Sequence, residues 1–390
     1  MKILHVSYSD SYGGANIAAY RIYKSQQKKG LVSDFLVINK KKKDKKIREY
    51  IYKSFFFNKK LRNYILKFID FLSQYKKNSY NILPSGIHEF INQSKYDLVN
   101  FHWINNEMLS VKEISKVRKK IFWTFHDLWP ILGSQHYIIK KKNNFFKKKL
   151  NISNFFKLNK KKYLSKIDFN IISPSLWLKN KVKKSFLKKK NIFIIRNPIN
   201  TDFWKIKKKK NNHKKIKILF VSVDPYTDKR KGYNKISKIL EKLDVSVYIV
   251  GSNNKINLPK NFTNLGYISS NYKLRNIYNF CDAVIIPSEQ DNFPNVALES
   301  MSCGTPIIVS KHSGLKEIIN NVNGKVLDKF NKKNIKKAIN WLHNIKNRDR
   351  IKIRKFCLKY FSYKKISDEY LKCYKKILNG KKNKYCNSNI

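Results

Sequence analysis

The sequence has few acidic residues, few cysteines and little glycine or proline. Its 25 Asp and Glu stand against 85 Lys and Arg, so the formal net charge is +60. The five cysteines all lie in the last third of the chain and lack metal-ligand spacing, which fits a reduced, cytosolic compartment better than a disulfide framework. With 12 Gly and 9 Pro, the chain is neither collagen-like nor a Pro/Gly-rich disordered polymer.

Arginine is scarce as well, because only ten of the 85 basic residues are Arg. Proteins that recognise nucleic acid usually place Arg at base edges and cluster their basic residues on one face. Here Lys is spread along the chain, and the abundance of Asn, Ile, Phe and Tyr over Ala and Gly indicates AT-rich codons. Nucleic acid is therefore not the favoured partner. A Lys-rich protein that binds nucleic acid or a membrane on a passive α/β scaffold stays open as an alternative.

Long hydrophobic runs are absent too. No window reaches the ~18 uninterrupted apolar residues that a membrane-spanning helix needs. The segment Met1–Ser7 becomes polar too soon for a signal peptide. We therefore expect a cytoplasmic protein, with peripheral attachment to the cytoplasmic face of the inner membrane as an open alternative.

Short apolar runs, in contrast, recur along the chain and are separated by helical or basic stretches. The first series consists of Ile3–Val6, Phe35–Ile38, Leu98–Trp103, Ile121–Phe125, Phe169–Ile172 and Ile192–Ile195. After the Lys-rich segment Lys205–Lys217, the second consists of Ile216–Val223, Val245–Val250, Asp282–Ile286, Pro306–Val309 and Lys325–Leu327. The pattern predicts an α/β protein with two Rossmann-like, doubly wound parallel-sheet domains, 1–204 and 205–360, which face each other across a cleft.

Two segments depart from this pattern. Between Lys40 and Asn78, apolar residues recur at helical spacing with basic residues between them. This stretch is either a basic amphipathic segment that lies on an anionic membrane or a helix that packs on its own domain and exposes a Lys face. Lys140–Lys162 is rich in Lys, Asn and Phe, which predicts a mobile cationic loop with a short helix.

The most informative stretch is Pro287–Pro306, which directly follows an apolar strand. Pro294 and Asn295 suit the start of a helix and Gly304 suits its end. Asp291 is then expected in the loop at the carboxyl end of the strand, and Glu299 early in the helix. A carboxylate accepts two hydrogen bonds side by side, as vicinal hydroxyls require, and free amides at a helix start favour anions.

This stretch resembles the E-x7-E signature of retaining glycosyltransferases of family 4, which have the GT-B fold. Phe293, Pro294 and Leu298 match the family pattern, and so do Met301, Gly304 and Pro306. The second acid is Glu299, whereas the first is Asp291 where the family has Glu. The shorter side chain is expected to weaken or retune the contact with the donor sugar.

Further segments extend the resemblance along nearly the whole chain. Gly13-Gly14 is similar to the glycine loop that approaches the donor phosphate, and His126 lies in a His-Asp segment similar to the one that faces the transferred sugar. Arg230-Lys231 resembles the basic element that grips the donor diphosphate, without the usual companion Arg. Tyr267-Ile268 matches the segment that lines the nucleobase pocket. A helix at about 361–380 resembles the terminal helix that returns to the first domain, and the basic tail 381–390 is expected to be disordered.

The resemblance implies transfer of a sugar from a nucleoside-diphosphate sugar to a glycan or lipid-linked acceptor, of the kind found in bacterial surface polysaccharide synthesis. It implies an acceptor-side first domain, a donor-binding second domain and retention of anomeric configuration. His126, Asp291 and Glu299 are the implied catalytic residues. The implied donor-binding residues are Gly13, Gly14, Arg230, Lys231, Tyr267, Ile268, Asn292, Phe293, Pro294 and Asn295.

No metal or other cofactor is expected. The sequence contains no Asp-x-Asp pair that would hold Mg²⁺ or Mn²⁺ on the diphosphate, so basic side chains and helix-start amides would have to stabilise the leaving group. A sugar-nucleotide epimerase with the same fold stays open as an alternative. A phosphorylase would need a pyridoxal lysine, which no motif supports.

Overall fold

The computed structural model describes residues 1–52, 59–72, 78–138, 152–207, 215–251 and 257–380. The predicted basic tail lies outside the described residues, as do parts of the three Lys-rich segments singled out above. Among the residues described, there is no helix whose length and hydropathy would suit a membrane span.

The first sheet has seven strands, all parallel, in the order β3-β2-β1-β4-β5-β6-β7. The strands are β1 (Lys2–Val6), β2 (Val32–Val37), β3 (Ile47–Glu49), β4 (Leu98–Phe101), β5 (Lys120–Thr124), β6 (Asn170–Ser173) and β7 (Asn191–Ile194). The accompanying helices are α1 (Gly14–Lys28), α2 (Lys59–Leu72), α3 (Ile87–Gln93), α4 (Val111–Ile114), α5 (Ile152–Leu164) and α6 (Leu176–Lys183). The strands β4 and β6 are buried throughout, as expected for parallel strands that are covered on both faces of the sheet.

The second sheet has six parallel strands in the order β10-β9-β8-β11-β12-β13. They are β8 (Ile216–Val221), β9 (Val245–Val250), β10 (Phe262–Asn264), β11 (Ala283–Ile286), β12 (Ile307–Ser310) and β13 (Gly324–Leu327). The helices are α7 (Tyr233–Leu240), α8 (Asn271–Phe280), α9 (Asn295–Ser302), α10 (Lys332–His343), α11 (Asn347–Phe361) and α12 (Tyr363–Leu378). The predicted fold class of two parallel-sheet α/β domains is therefore confirmed.

The chain divides into two compact units, between Ile195 and Arg196 and again between Ile366 and Ser367. The first division precedes the predicted boundary at residue 204 because Ile199 and Trp204 are buried in the core of the second unit. Helix α12 begins in the second unit and ends in the first. There the hydroxyl of Tyr374 accepts a hydrogen bond from Asn100 Nδ2 at 2.8 Å.

The strand order reverses its direction of growth at one place in each sheet. In the first sheet this switch point lies between β1 and β4, and in the second it lies between β8 and β11. Open parallel sheets bind ligands beyond the carboxyl ends of the strands that flank such a point. The segments that follow these strands are therefore the places to look for a site in each unit.

Candidate functional site

Three of the predicted site residues meet in the second unit. Asp291 lies in the loop after β11, and Arg230 and Lys231 lie in the segment after β8. Lys231 Nζ lies 2.6 Å from Asp291 Oδ2, and Arg230 Nη1 lies 3.8 Å from the same oxygen. Ser288 Oγ donates a further hydrogen bond to this oxygen at 3.2 Å. Asp291, Lys231 and Arg230 thus form one cluster, which we call the switch-point ion cluster.

A close contact between two backbone segments positions Arg230 and Lys231. Lys229–Lys231 form a 3₁₀ turn, which is capped by the Asp228 carboxylate and ends at Gly232 with φ 79°. A Cβ at Gly232 would lie 2.6 Å from the carbonyl oxygen of Pro287, so glycine is required both for the left-handed conformation and for the contact. The turn is thereby held against the strand end that carries Asp291.

The ion pairs determine the charge of the buried Asp291 carboxylate. Burial alone would raise the pKa of Asp291, but the positive charges of Lys231 and Arg230 hold it below its usual value. Asp291 is therefore ionised at neutral pH. In this structure its carboxylate is bound to cations, and a sugar hydroxyl would have to share it with them.

Glu299 lies on helix α9, which follows the loop that carries Asp291. Its carboxylate is buried and accepts a hydrogen bond of 2.8 Å from the hydroxyl of Tyr278, which belongs to α8. Helix α9 begins at Asn295, as the motif predicts, and Pro294, which has no side-chain acceptor to offer, precedes its first turn. Asn292, Phe293 and Asn295 are buried around this turn.

A second, buried ion pair lies beside the loop that carries Asp291 and Phe293, and the sequence analysis did not predict it. Arg196 and Glu317 are joined at 2.7 Å, and the guanidinium of Arg196 lies 5.5 Å from the centre of the Phe293 ring. Next to Glu317, Gly314 donates a backbone hydrogen bond of 2.9 Å to the carbonyl of Asp291. The partners are far apart in sequence, so no spacing could have indicated the pair.

Tyr267 and Ile268 lie at a cavity of about 550 Å³ on the same unit. The cavity is lined by Tyr248, Leu265, Tyr267, Ile268, Ser269, Ser270, Lys273, Asn276, Ile277 and Phe280. Helix α8 contributes to this lining and also carries Tyr278, the partner of Glu299. A cavity of about 610 Å³ beside α3 in the first unit holds none of the predicted site residues.

The remaining predicted residues belong to the first unit. Gly13 has φ 79° and precedes the first residue of α1, Gly14. The loop is shaped by Asn16, which accepts from Ser7 Oγ at 2.7 Å and donates to the carbonyl of Tyr12 at 2.7 Å. The loop follows β1 at the switch point of the first sheet.

His126 follows β5 and is the outermost member of a row of three histidines. His126 Nε2 lies 3.2 Å from His102 Nδ1, and His102 Nε2 lies 2.9 Å from His5 Nδ1. His5 Nε2 lies 2.9 Å from Gln26 Oε1 on α1. Burial lowers the pKa of His5 and of His126 to about 4, and it lowers that of His102 as well.

The carboxylate of Asp127, next to His126 in sequence, is hydrogen-bonded to three groups of the first unit. Its carboxylate binds His136 Nδ1 at 2.6 Å and the Trp103 indole at 3.2 Å, and it accepts from the Trp129 amide at 2.9 Å. These contacts fix the segment that carries His126. Within the described ranges, no group of three or more His, Cys, Asp or Glu side chains is placed to hold a metal ion.

Comparison with known proteins finds a family that is similar to most of the second unit. Residues 202–355 match the family of glycosyl transferases group 1. The matched segment carries the switch-point ion cluster, Glu299 and the 550 Å³ cavity.

A relative that aligns over 304 residues and a solved structure extend the similarity beyond this domain. An uncharacterized glycosyltransferase of Methanocaldococcus jannaschii is 36% identical over 98 residues, which cover 22% of this chain but only 25% of that protein. An uncharacterized 41.2 kDa protein from the cps region of Klebsiella pneumoniae is 25% identical over 304 residues, or 72% of this chain and 79% of that protein. The crystal structure of Anabaena HepE in complex with UDP and glucose matches 96% of this chain and 99% of its own, with a TM-score of 0.63 at 14% identity. The fold is thus that of the GT-B glycosyltransferases.

Proposed function

We propose that this protein transfers a sugar from a nucleoside-diphosphate sugar to a glycan or lipid-linked acceptor. The observation that carries the proposal is the switch-point ion cluster beside the start of α9. A diphosphate leaving group bears negative charge, which Lys231 and Arg230 can neutralise together with the amides at the helix start. Anabaena HepE, which has the same fold, was crystallised with UDP and glucose, and this supports a nucleotide-sugar donor.

In this proposal Asp291 and Glu299 bind hydroxyl groups at the two ends of the donor. Asp291 accepts from hydroxyls of the transferred sugar while Lys231 turns to the diphosphate. Glu299, held by Tyr278, accepts from the ribose, and the cavity at Tyr267 and Ile268 takes the base. His126 is the residue of the first unit that borders the reacting sugar.

The test is a panel of nucleotide sugars with two matched variants. We expect one nucleotide sugar to raise the melting temperature and to be slowly hydrolysed to the nucleoside diphosphate. Lys231→Met should abolish both effects. Lys238→Met removes the same charge from an exposed position of α7 and should leave both unchanged. Equal losses in both variants, or a response to an RNA oligonucleotide and to no nucleotide sugar, would contradict the proposal.

We further propose that transfer retains the anomeric configuration and needs no metal. Basic side chains and helix-start amides are available for the leaving group, so activity should survive EDTA. A strict requirement for added Mn²⁺ would refute this part of the proposal. NMR spectroscopy of the first-formed product decides retention, and appearance of an epimerised nucleotide sugar without transfer would favour the epimerase alternative.

Helix α2 suggests how a lipid-linked acceptor would be reached. Tyr64, Phe68 and Phe71 share one face of α2 and are 79%, 63% and 75% exposed. Arg62 anchors the opposite face by donating to the carbonyl of Pro84 at 3.1 Å. An exposed aromatic face on a chain with a net charge of +60 suits the surface of an anionic bilayer.

The membrane contact is tested by flotation with liposomes. We expect the protein to float with vesicles that contain anionic lipid and to do so much less with neutral vesicles. A Phe68→Ser/Phe71→Ser double variant should stay at the bottom of the gradient. Ile351→Ser, which removes one exposed apolar side chain from α11, is the control and should float like the wild type. Unchanged flotation of the double variant would exclude α2 as the contact.

A further inference from the structure

The switch-point ion cluster is electrically balanced, although the chain as a whole is strongly basic. Lys231 is paired with Asp291 at 2.6 Å, and Arg230 is paired with Asp228 at 2.9 Å. Two carboxylates thus offset two cations. A diphosphate that binds here meets a neutral set of charges, and the full attraction of a cation becomes available only when that cation leaves its carboxylate.

Lys231 is the cation that is able to leave. The guanidinium of Arg230 donates to the carbonyl of Gln290 at 2.8 Å and to the carboxylate of Asp228 at 2.9 Å, so two contacts hold it in place. Lys231 donates from Nζ to Asp291, and its side chain is partly exposed. Its ammonium is carried by a flexible four-carbon stem. Lys231 can therefore turn from Asp291 to a bound anion by side-chain rotation alone.

The departure of Lys231 leaves the carboxylate of Asp291 with weaker support. This carboxylate is buried, and burial opposes its ionised form, whereas the positive charges of Lys231 and Arg230 hold its pKa below the usual value. Ser288 Oγ at 3.2 Å and Arg230 Nη1 at 3.8 Å stay beside it. A buried carboxylate that loses a paired cation is destabilised unless a new hydrogen bond replaces the pair. Hydroxyl groups of a sugar can supply such hydrogen bonds.

We propose that Asp291 competes with the donor diphosphate for Lys231, so that the site binds a nucleotide sugar in preference to the nucleoside diphosphate alone. This inference rests on the proposed function, in which both ligands bind at the switch-point ion cluster. With a nucleotide sugar, the diphosphate takes Lys231 and the sugar hydroxyls donate to Asp291. With the nucleoside diphosphate, Lys231 is taken and Asp291 receives no hydroxyl in return. The ion pair therefore weakens the binding of the product that remains after transfer and favours its release.

The test compares dissociation constants measured by calorimetry for the nucleotide sugars of the panel and for UDP, GDP, CDP and dTDP. The quantity of interest is the Kd of the nucleoside diphosphate divided by the Kd of its nucleotide sugar. Asp291→Asn removes the competing charge, so we expect the Kd of the nucleoside diphosphate to fall about fivefold. The Kd of the nucleotide sugar should change little, because the gain from the released Lys231 is offset by a weaker acceptor for the sugar. The ratio should therefore fall about fivefold.

Two further variants separate the ion pair from the general charge of the loop. Glu289→Gln removes the same charge from the same loop, but Glu289 is paired at 2.6 Å with Lys235, and both side chains are exposed. This variant should leave the ratio unchanged. Ser288→Ala keeps the ion pair and removes a hydrogen bond that supports Asp291 after Lys231 has left. The ratio should therefore rise in this variant.

The outcomes distinguish this inference from the proposed function. An unchanged ratio in Asp291→Asn, or an equal fall in Glu289→Gln, would overturn the inference while the binding of nucleotide sugars still supports the proposed function. If no nucleotide sugar and no nucleoside diphosphate binds, the proposed function fails and the inference fails with it. Circular dichroism checks that each variant is folded. If Asp291→Asn does not fold, Ser288→Ala decides, and a ratio that does not rise would overturn the inference.

Discussion

The strength of the contact between Lys231 and Asp291 can be predicted from its geometry and burial. The two charged atoms are 2.6 Å apart, and the side chains are 23% and 8% exposed. Removing one partner of a fully buried pair costs about 3–5 kcal/mol, whereas an exposed pair contributes about 0–1 kcal/mol. Arg230 and Ser288 remain beside the carboxylate after Lys231 is removed. We therefore expect Lys231→Met to lower the free energy of unfolding by about 2 kcal/mol.

A double-mutant cycle isolates the pairwise part of this loss. Asp291→Asn should cost about 1 kcal/mol, because the partly exposed Lys231 can turn to water while the amide keeps its hydrogen bond with Ser288. The double variant should lose less than the sum of the two single losses, by about 1 kcal/mol. Urea unfolding followed by circular dichroism measures all four proteins. Strict additivity would show that the pair contributes nothing and that the geometric reasoning is wrong.

The pH dependence gives an independent check on the same pair. The pKa of Asp291 in the folded protein lies below its usual value of 3.8, so the stability from the ion pair is present above that value and is lost as the pH falls through the folded pKa. Without Lys231, burial becomes the dominant influence and raises the folded pKa. The deficit of Lys231→Met relative to the wild type should therefore be smaller at pH 5 than at pH 7. An equal or larger deficit at pH 5 would refute the electrostatic explanation.

Three further perturbations test other parts of the molecule. Tyr278→Phe removes the 2.8 Å hydrogen bond to the buried Glu299 and should cost about 2 kcal/mol in urea unfolding, whereas a loss below about 0.5 kcal/mol would mean that the bond is not formed in solution. Gly232→Ala should lower the free energy of unfolding by at least about 1 kcal/mol more than Gly30→Ala. Both glycines have positive φ, but a Cβ added at Gly30 has no atom within 4 Å, whereas one at Gly232 meets the carbonyl of Pro287. Equal losses would disprove this close contact. Burial lowers the pKa of His5 in the folded protein to about 4, from 6.5 in the unfolded chain. The free energy of unfolding should therefore fall as the pH drops below 6.5, and His5 should account for about 3 kcal/mol of this loss at pH 4. Urea unfolding of His5→Gln should show a shallower decline with pH, and an equal decline would contradict the prediction.

The apolar runs predicted most of both sheets because buried parallel strands are nearly continuous in Val, Ile, Leu and Phe. The run Val245–Val250 is β9 residue for residue, and Ile216–Val223 ends two residues beyond β8. The strands β3 and β10 were not predicted. Each lies at the edge of its sheet and has three residues, only one of which is buried, so neither leaves a hydrophobic pattern in the sequence.

The segment from Lys40 to Asn78 shows how one pattern can span different structures. Sequence analysis treated it as a single amphipathic stretch, but the structure places strand β3 and helix α2 within it. Among the described residues of this segment, the helical spacing applies to α2 alone. Its exposed aromatic face agrees with the sequence pattern, while Arg62, one of the basic residues interleaved there, is buried and bonded to backbone carbonyls.

Contacts between distant parts of the chain could not be predicted from spacing. His5 and His102 are 97 residues apart in sequence, and each histidine alone resembles an ordinary buried residue. The same holds for Arg196 and Glu317. Only the strand order places His5, His102 and His126 in one row, because β1, β4 and β5 are neighbours in the sheet.

The scarce residue types proved more informative than the abundant ones. Acidic residues number only 25 against 85 basic ones, yet several of them are buried and organise loops. Glu107 accepts from the backbone amides of Asn81, Ile82 and Leu83, and Asp10 accepts from those of Lys41 and Lys42. A buried carboxylate is costly unless it is paired or hydrogen-bonded, whereas exposed lysines can vary with codon usage at little cost. In a chain of this composition, the acids therefore mark where structure and chemistry constrain the sequence, and Asp291 and Glu299 belong to that set.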